Sequence, residues 1–188
     1  MKKYIEKASN FSILYGLSIV LIYGLLLAEF VSTINVIIMR NVSLGSMYNF
    51  LMNASYFVTI LSSVAVWLIT SLLFHLTALL FNGKSLSFSC FIKLSSYPYI
   101  IPACTILIAI FLLEDIQLME ENIATLLPND KNFIFILSII NWSFIPYYLI
   151  LIAVVKYSYN LKWLYSILSV AVPVISIWGA TRIFSLIL

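Results

Sequence analysis

Charged residues are scarce in this chain. Lysine, arginine, aspartate and glutamate make up 9% of its 188 residues, whereas 63% of the residues are hydrophobic. An ordinary soluble domain contains about 25% charged residues. Water therefore cannot be the main solvent of the chain, and the apolar segments leave no room for a separate soluble domain.

Residues that could carry out chemistry are also scarce. His75 is the only histidine, so the HExxH pattern of zinc proteases is absent, and neither GxSxG nor GxGD occurs. Glu120 and Glu121 lack the arginine that an EExxxR protease motif requires. Because no nucleophile lies in a pattern with a base, the sequence predicts no enzyme, no catalytic residue and no cofactor.

Cysteine occurs only twice, at Cys90 and Cys104. No CxxC spacing and no neighbouring histidine accompany them, so the sequence predicts no metal site. We expect two free, buried thiols. The ten basic residues are scattered singly, which predicts no nucleic-acid partner.

Long apolar runs dominate what the chain does contain, and the lipid bilayer is the partner that they predict. The first follows Lys2 and Lys3 without a small-residue cleavage site, so it predicts a retained span instead of a cleaved signal peptide. The sequence predicts an all-α integral membrane protein with a single transmembrane domain over residues 1–188. Its five transmembrane helices cover about residues 11–38, 55–81, 97–113, 133–155 and 163–187.

The positions of the basic residues predict the orientation in the membrane. With the N-terminus inside, the inner segments hold Lys2, Lys3, Lys7, Lys84, Lys93, Lys156 and Lys162. The outer segments hold Arg40 and Lys131, with Arg182 at the outer end of the last span. Short loops rich in lysine and arginine stay in the cytoplasm, so we expect an N-inside, C-outside topology.

Two connecting segments predict short interfacial helices. In the outer loop, Ile116, Met119 and Ile123 recur at helical spacing between a possible N-cap at Asp115 and a terminating Pro128. In the inner loop after the second span, Gly83 ends the preceding helix, and Phe88 and Phe91 share one apolar face of the next.

Four residues within the predicted spans are candidates for polar or ionic interactions. His75 and Asn141 are candidates for intramembrane polar contacts, since such side chains hydrogen-bond across helices. Glu29 and Arg182 lie about 27 and 28 Å along spans that both run outward. Because a charge at that depth needs water or a partner, we hypothesise that these two residues form an ion pair. Separate solvation at the outer boundary is the alternative.

Two segments carry a resemblance to a known family. The first is HLTALLFNGKSLSFSCF, followed by Pro98 and Pro102, and the second is NWSFIPYYLILIAVVKYSYNLKW. In their order of helix end, glycine turn, Ser/Phe linker and proline they resemble the YIP (Ypt-interacting protein) family of five-span membrane proteins, in particular the bacterial type associated with ABC exporters. The resemblance implies a cytoplasmic N-terminus, an external C-terminus and no catalytic activity.

The function predicted from these features is that of a non-enzymatic accessory membrane protein. Its expected partners are other membrane proteins, such as an ABC-type exporter or an antimicrobial-peptide resistance system, and it could form a homo-oligomer. Eight lysines against two arginines favour a low-GC bacterium and hence the bacterial cytoplasmic membrane. Two alternatives remain, namely a small-solute transporter component and an immunity protein whose acidic outer loop attracts a cationic membrane-active peptide.

Overall fold

The computed structural model describes residues 12–38, 46–81, 84, 86–114, 127 and 130–187. Every regular element in these ranges is helical, which confirms the predicted all-α class. The elements are α1 (Ile13–Ile38), α2 (Ser46–Leu80), α3 (Phe88–Ser96), a 3-10 turn (Tyr97–Tyr99), α4 (Ile100–Glu114), α5 (Lys131–Tyr159) and α6 (Trp163–Ile187).

Five helical stretches of the described chain are long and apolar enough to cross a membrane, as predicted. They are Ile13–Ile38, Tyr48–Leu80, Phe88–Leu113, Lys131–Tyr159 and Trp163–Arg182. A helix rises about 1.5 Å per residue, so even the last of them, with 20 residues, is about as long as a hydrocarbon core is thick.

The second helix begins earlier than the sequence predicts. It starts at Ser46 instead of near residue 55. The polar residues Asn49 and Asn53 lower the apolar character of this first part without breaking a helix, and both are exposed. Length and composition therefore place the apolar run correctly but miss the two helical turns that precede it.

The third predicted span is preceded by a helix that continues almost directly into it. Helix α3 is capped by Ser87, whose hydroxyl accepts a hydrogen bond from the Cys90 amide at 3.3 Å. The predicted inner-loop helix thus corresponds to α3, but its Phe91 is buried against the chain's own aromatic residues. The predicted outer-loop helix, residues 115–128, falls almost entirely outside the described residues.

Clear capping interactions delimit α5. The Asp130 carboxylate accepts a hydrogen bond from the Phe133 amide at 2.8 Å, which satisfies one of the free donors of the first turn. At the other end Asn160 has a φ of 53°, and the Leu161 amide donates to the Lys156 carbonyl at 3.1 Å. This geometry is a Schellman motif, in which asparagine adopts the left-handed conformation at small cost.

The chain divides into two compact units. The first consists of Val66–Pro98, Tyr148–Leu188 and the residues up to Ser18, and its core includes Phe74, Phe91, Leu151 and Tyr159. The second consists of Ile19–Ala65 and Tyr99–Tyr147, and its core includes Phe30, Ile106, Leu113 and Ile136.

Helix α1 approaches a neighbouring helix closely in each unit, at a glycine. A Cβ atom at Gly16 would lie 2.7 Å from the Ser96 hydroxyl oxygen of α3. A Cβ atom at Gly24 would lie 3.1 Å from the Cβ atom of Ser63 on α2. Small residues at both contacts allow this close helix packing.

Candidate functional site

His75 lies in a buried aromatic cluster of the first unit. Its Nδ1 atom forms a hydrogen bond with the Tyr159 hydroxyl, which joins α2 to α5. The rings of Phe88 and Phe91 pack against the imidazole, with centroids 5.4 and 6.2 Å away. The bond gives two buried polar groups a partner inside an apolar core, so its evident role is to hold α2 and α5 in register.

A second buried network connects α2 with α3. The Trp67 indole donates to the Ser95 hydroxyl at 3.1 Å, and Ser95 donates its own hydrogen to the Ile92 carbonyl at 2.9 Å. Ser71 and Ser95 are 2.7 Å apart, so Ser71 is the donor of that pair. These hydrogen bonds give the buried polar atoms partners and orient α3.

Glu29 lies beside a shallow groove of the second unit. Its Oε2 atom accepts a hydrogen bond from the Tyr56 hydroxyl of α2 at 3.4 Å. The groove runs between α1 and α2 and is lined by Ala28, Val31, Ser32, Asn35, Met52, Ser55, Tyr56 and Thr59. Its cavity volume is about 0 Å³, whereas pockets that bind small molecules enclose roughly 300–1,000 Å³.

Two basic side chains of the first unit lie over tryptophan rings. The Lys156 Nζ atom is 3.8 Å from the centroid of Trp163, just across the turn that follows α5. The Arg182 guanidinium is 5.5 Å from the centroid of Trp178, one helical turn before it. Both contacts have the geometry of cation–π interactions.

The predicted ion pair between Glu29 and Arg182 stays a prediction. Glu29 belongs to the second unit and Arg182 to the first, and the contacts described above are made within one unit. The structure adds Tyr56 as a neighbour of Glu29 and Trp178 as a neighbour of Arg182. Trp178 precedes Arg182 by four residues in the same helix, so this contact could have been foreseen from the sequence spacing. The contact between Tyr56 and Glu29 could not, because it depends on how α1 and α2 are rotated.

Asn141 is exposed on α5, on the side of the helix opposite the buried residues. This side, here called the Asn141 face, consists of the half-buried Ser138 and the exposed residues Ile134, Phe135, Asn141, Trp142 and Ile145. Trp142 is 69% exposed and Phe135 is 60% exposed. Within the part of the chain that the structure describes, the Asn141 amide has no hydrogen-bond partner.

The depth of Asn141 along α5 makes this exposure important. It lies eight residues, about 12 Å, from Phe133 and fifteen residues, about 22 Å, from Lys156. Both distances place it well inside an apolar helix of spanning length. Ser138, on the same face, instead donates its hydroxyl to the Ile134 carbonyl at 2.8 Å, so its polarity is satisfied locally.

Pro146 leaves a second polar group, the backbone carbonyl of Trp142, without its usual hydrogen-bond donor close to Asn141. A proline has no N–H, so it cannot donate to the carbonyl four residues earlier, that of Trp142. The spacing of Trp142 and Pro146 could have been noticed in the sequence. The exposure of their side chains could not, because α5 is apolar on nearly all sides.

The two thiols differ from expectation. Cys90 is partly buried, and Cys104 is exposed on α4, so the expectation of a buried thiol is wrong for Cys104. An apolar side chain need not be buried within the protein when the surroundings are apolar too. No cluster of three or more His, Cys, Asp or Glu residues occurs within the described ranges.

No protein-family model, curated protein or solved structure matches this chain. The resemblance to the YIP family therefore stays a prediction. In the first unit the two segments of the resemblance meet around Tyr159, which bonds to His75 through its hydroxyl and accepts a hydrogen bond from the Lys84 amide at its carbonyl, at 2.8 Å.

Proposed function

We propose that this chain is a non-enzymatic accessory protein of a bacterial cytoplasmic membrane, and that it binds other membrane proteins through its helices. The observation that carries this proposal is the exposed amide of Asn141, which lies well inside an apolar helix and has no hydrogen-bond partner among the described residues. Hydrocarbon offers no hydrogen bond to an amide. A helix from another protein can offer one, and asparagine is among the residues that join transmembrane helices.

The proposed topology is N-inside and C-outside. The hydrogen bond between the Lys84 amide and the Tyr159 carbonyl supports it, because it brings the end of α2 and the end of α5 together. Lys84, Lys156 and Lys162 then lie on one side of the membrane, as the positive-inside rule requires.

Solute binding is the second candidate, and one observation favours it. The groove between α1 and α2 is lined by hydroxyl and amide groups, and Tyr56 in its lining donates a hydrogen bond to the Glu29 carboxylate, so oxygen ligands that suit a cation lie close together. Its small volume makes it the weaker candidate. The immunity alternative depends on an acidic loop. Of its acidic residues only the Glu114 backbone and Asp130 are described, and Asp130 already caps α5.

Affinity purification from membranes in mild detergent tests the leading proposal. Tagged wild-type protein should retain a multi-span membrane protein in fixed stoichiometry, either an untagged copy of this chain or a different protein, and the Asn141→Leu variant should retain much less of it. The matched control is Asn53→Leu, which makes the same change at an exposed asparagine of α2. Specific binding or transport of a small solute by the purified protein alone would refute the proposal.

A further inference from the structure

We infer that the partner at the Asn141 face is a second copy of this chain, so that two α5 helices pack together around a twofold axis normal to the membrane. The inference rests on the proposed function, because it names the occupant of the same face. A second copy would make the accessory unit a homodimer.

Chemical self-complementarity is the first argument. A side-chain amide offers both donors and an acceptor, so two asparagines facing each other satisfy one another. Two copies inserted in the same orientation place their Asn141 residues at the same depth, whatever that depth is. Any other partner would need its own polar residue at a matching level.

The spacing of the residues along the Asn141 face is the second argument. Ile134, Ser138, Asn141 and Ile145 follow one another at intervals of four, three and four residues. This is the spacing of a seam between two helices that cross at a small angle. A single polar residue in such a seam sets the register of the pair.

The size of the residues on the face also suits a symmetric contact. Ser138 lies at its centre and lets two backbones approach, while Phe135 and Trp142 flank it with large exposed side chains. The Trp142 carbonyl, which lacks its usual donor because of Pro146, lies one residue from Asn141. An Asn141 amide of the second copy has donors to spare for that carbonyl.

Disulfide cross-linking in native membranes tests the geometry. In a chain with Cys90→Ala and Cys104→Ala, oxidation of the Ser138→Cys variant should give a dimer of twice the chain mass. The control is Phe57→Cys, at a residue of α2 that is 67% exposed, and it should stay monomeric. Adding Asn141→Leu should weaken dimerisation by about 3- to 30-fold, the range expected for one interhelical hydrogen bond in a membrane. Equal cross-linking of the Ser138→Cys and Phe57→Cys variants would refute the inference. The absence of a cross-linked dimer for Ser138→Cys would refute it as well.

Resonance energy transfer between donor- and acceptor-labelled copies in lipid vesicles measures dimerisation without the cysteine variants. Wild-type protein and Asn53→Leu should show the same transfer at a given dilution in lipid, and Asn141→Leu should require a higher protein-to-lipid ratio. Unchanged transfer in Asn141→Leu would overturn the inference.

Photo-cross-linking in cells separates this inference from the proposed function. A photoreactive residue in place of Phe135 should give an adduct of twice 21.4 kDa. An adduct with a different membrane protein would refute the homodimer but leave the proposed function standing. Absence of any protein adduct at Phe135 would refute both.

Discussion

Polar side chains within the long helices meet their hydrogen-bonding needs in two ways. Most serines and threonines bond to their own helix, as Ser63 does to the Thr59 carbonyl at 2.9 Å and Ser169 to the Tyr165 carbonyl at 2.7 Å. Such residues need no second helix. The side chains of Trp67 and His75 bond instead to side chains of other helices. These two residues therefore help to specify which helices meet.

The bond between His75 and Tyr159 should contribute measurably to stability. Replacing Tyr159 by Phe removes the hydroxyl and leaves a buried imidazole nitrogen without a partner, so we expect a loss of about 0.6–2 kcal/mol in the free energy of unfolding. Equilibrium unfolding of the wild-type protein and the variant in detergent micelles measures this loss of free energy. The control is Tyr165→Phe, at an exposed tyrosine that stacks on Phe81. Independent, additive effects of His75→Leu and Tyr159→Phe would contradict the pairing.

The predicted pair of Glu29 and Arg182 calls for a double-mutant cycle. If they pair, Glu29→Gln and Arg182→Gln together should lower the thermal stability by less than the sum of the single changes, because either change alone breaks the same interaction. Tyr56→Phe belongs in the series, since the Tyr56 hydroxyl bonds to Glu29. Additive losses would show that the two charges are solvated separately.

The sequence is a better guide to which polar residues matter than to where they point. It singles out His75 and Asn141, because polar residues are rare in apolar helices. It does not indicate Tyr159 as the partner of His75, since the two are 84 positions apart. Nor does it show that Asn141 faces outward, because a helix that is apolar on all sides has no pattern from which to read its buried face.

At the scale of helices, the close packing of α1 against α2 at Gly24 is the feature that most constrains substitution. Gly24→Val should lower the free energy of unfolding by about 1–3 kcal/mol, because the new side chain would meet Ser63 and the Ile60 backbone at 3.1–3.4 Å. Gly179→Val in α6 is the control, since a Cβ atom there meets nothing within 4 Å. Thermal unfolding of the two variants checks the difference, and equal losses would show that only helix propensity is at work.

Helix existence was predictable from the sequence, but some boundaries were not. Continuous apolar runs of spanning length predict the long helices directly. This criterion misses the early start of α2, because Asn49 and Asn53 are polar yet helical. The burial of α3 could not be predicted in this way, because the residues that cover α3 come from α2 and α5, which are distant in sequence.

For the whole molecule, the decisive measurement is the side of the membrane on which each end lies. We expect a C-terminal alkaline phosphatase fusion to be active and a C-terminal fluorescent fusion to be dark, since an odd number of crossings from an inside N-terminus puts the C-terminus outside. Fusions at Lys84 should show the opposite pattern. A C-terminal reporter that works only in the cytoplasm would rule out five crossings.

The link between His75 and Tyr159 also has a consequence for biosynthesis. The two residues are 84 positions apart, so a ribosome adding about 5–20 residues per second needs about 4–17 s to supply the tyrosine after the histidine. For that interval the nascent α2 carries an imidazole without its eventual partner. His75 lies five residues before the end of α2 at Leu80, so in the proposed topology the growing chain would hold it near the inner headgroups until α5 emerges.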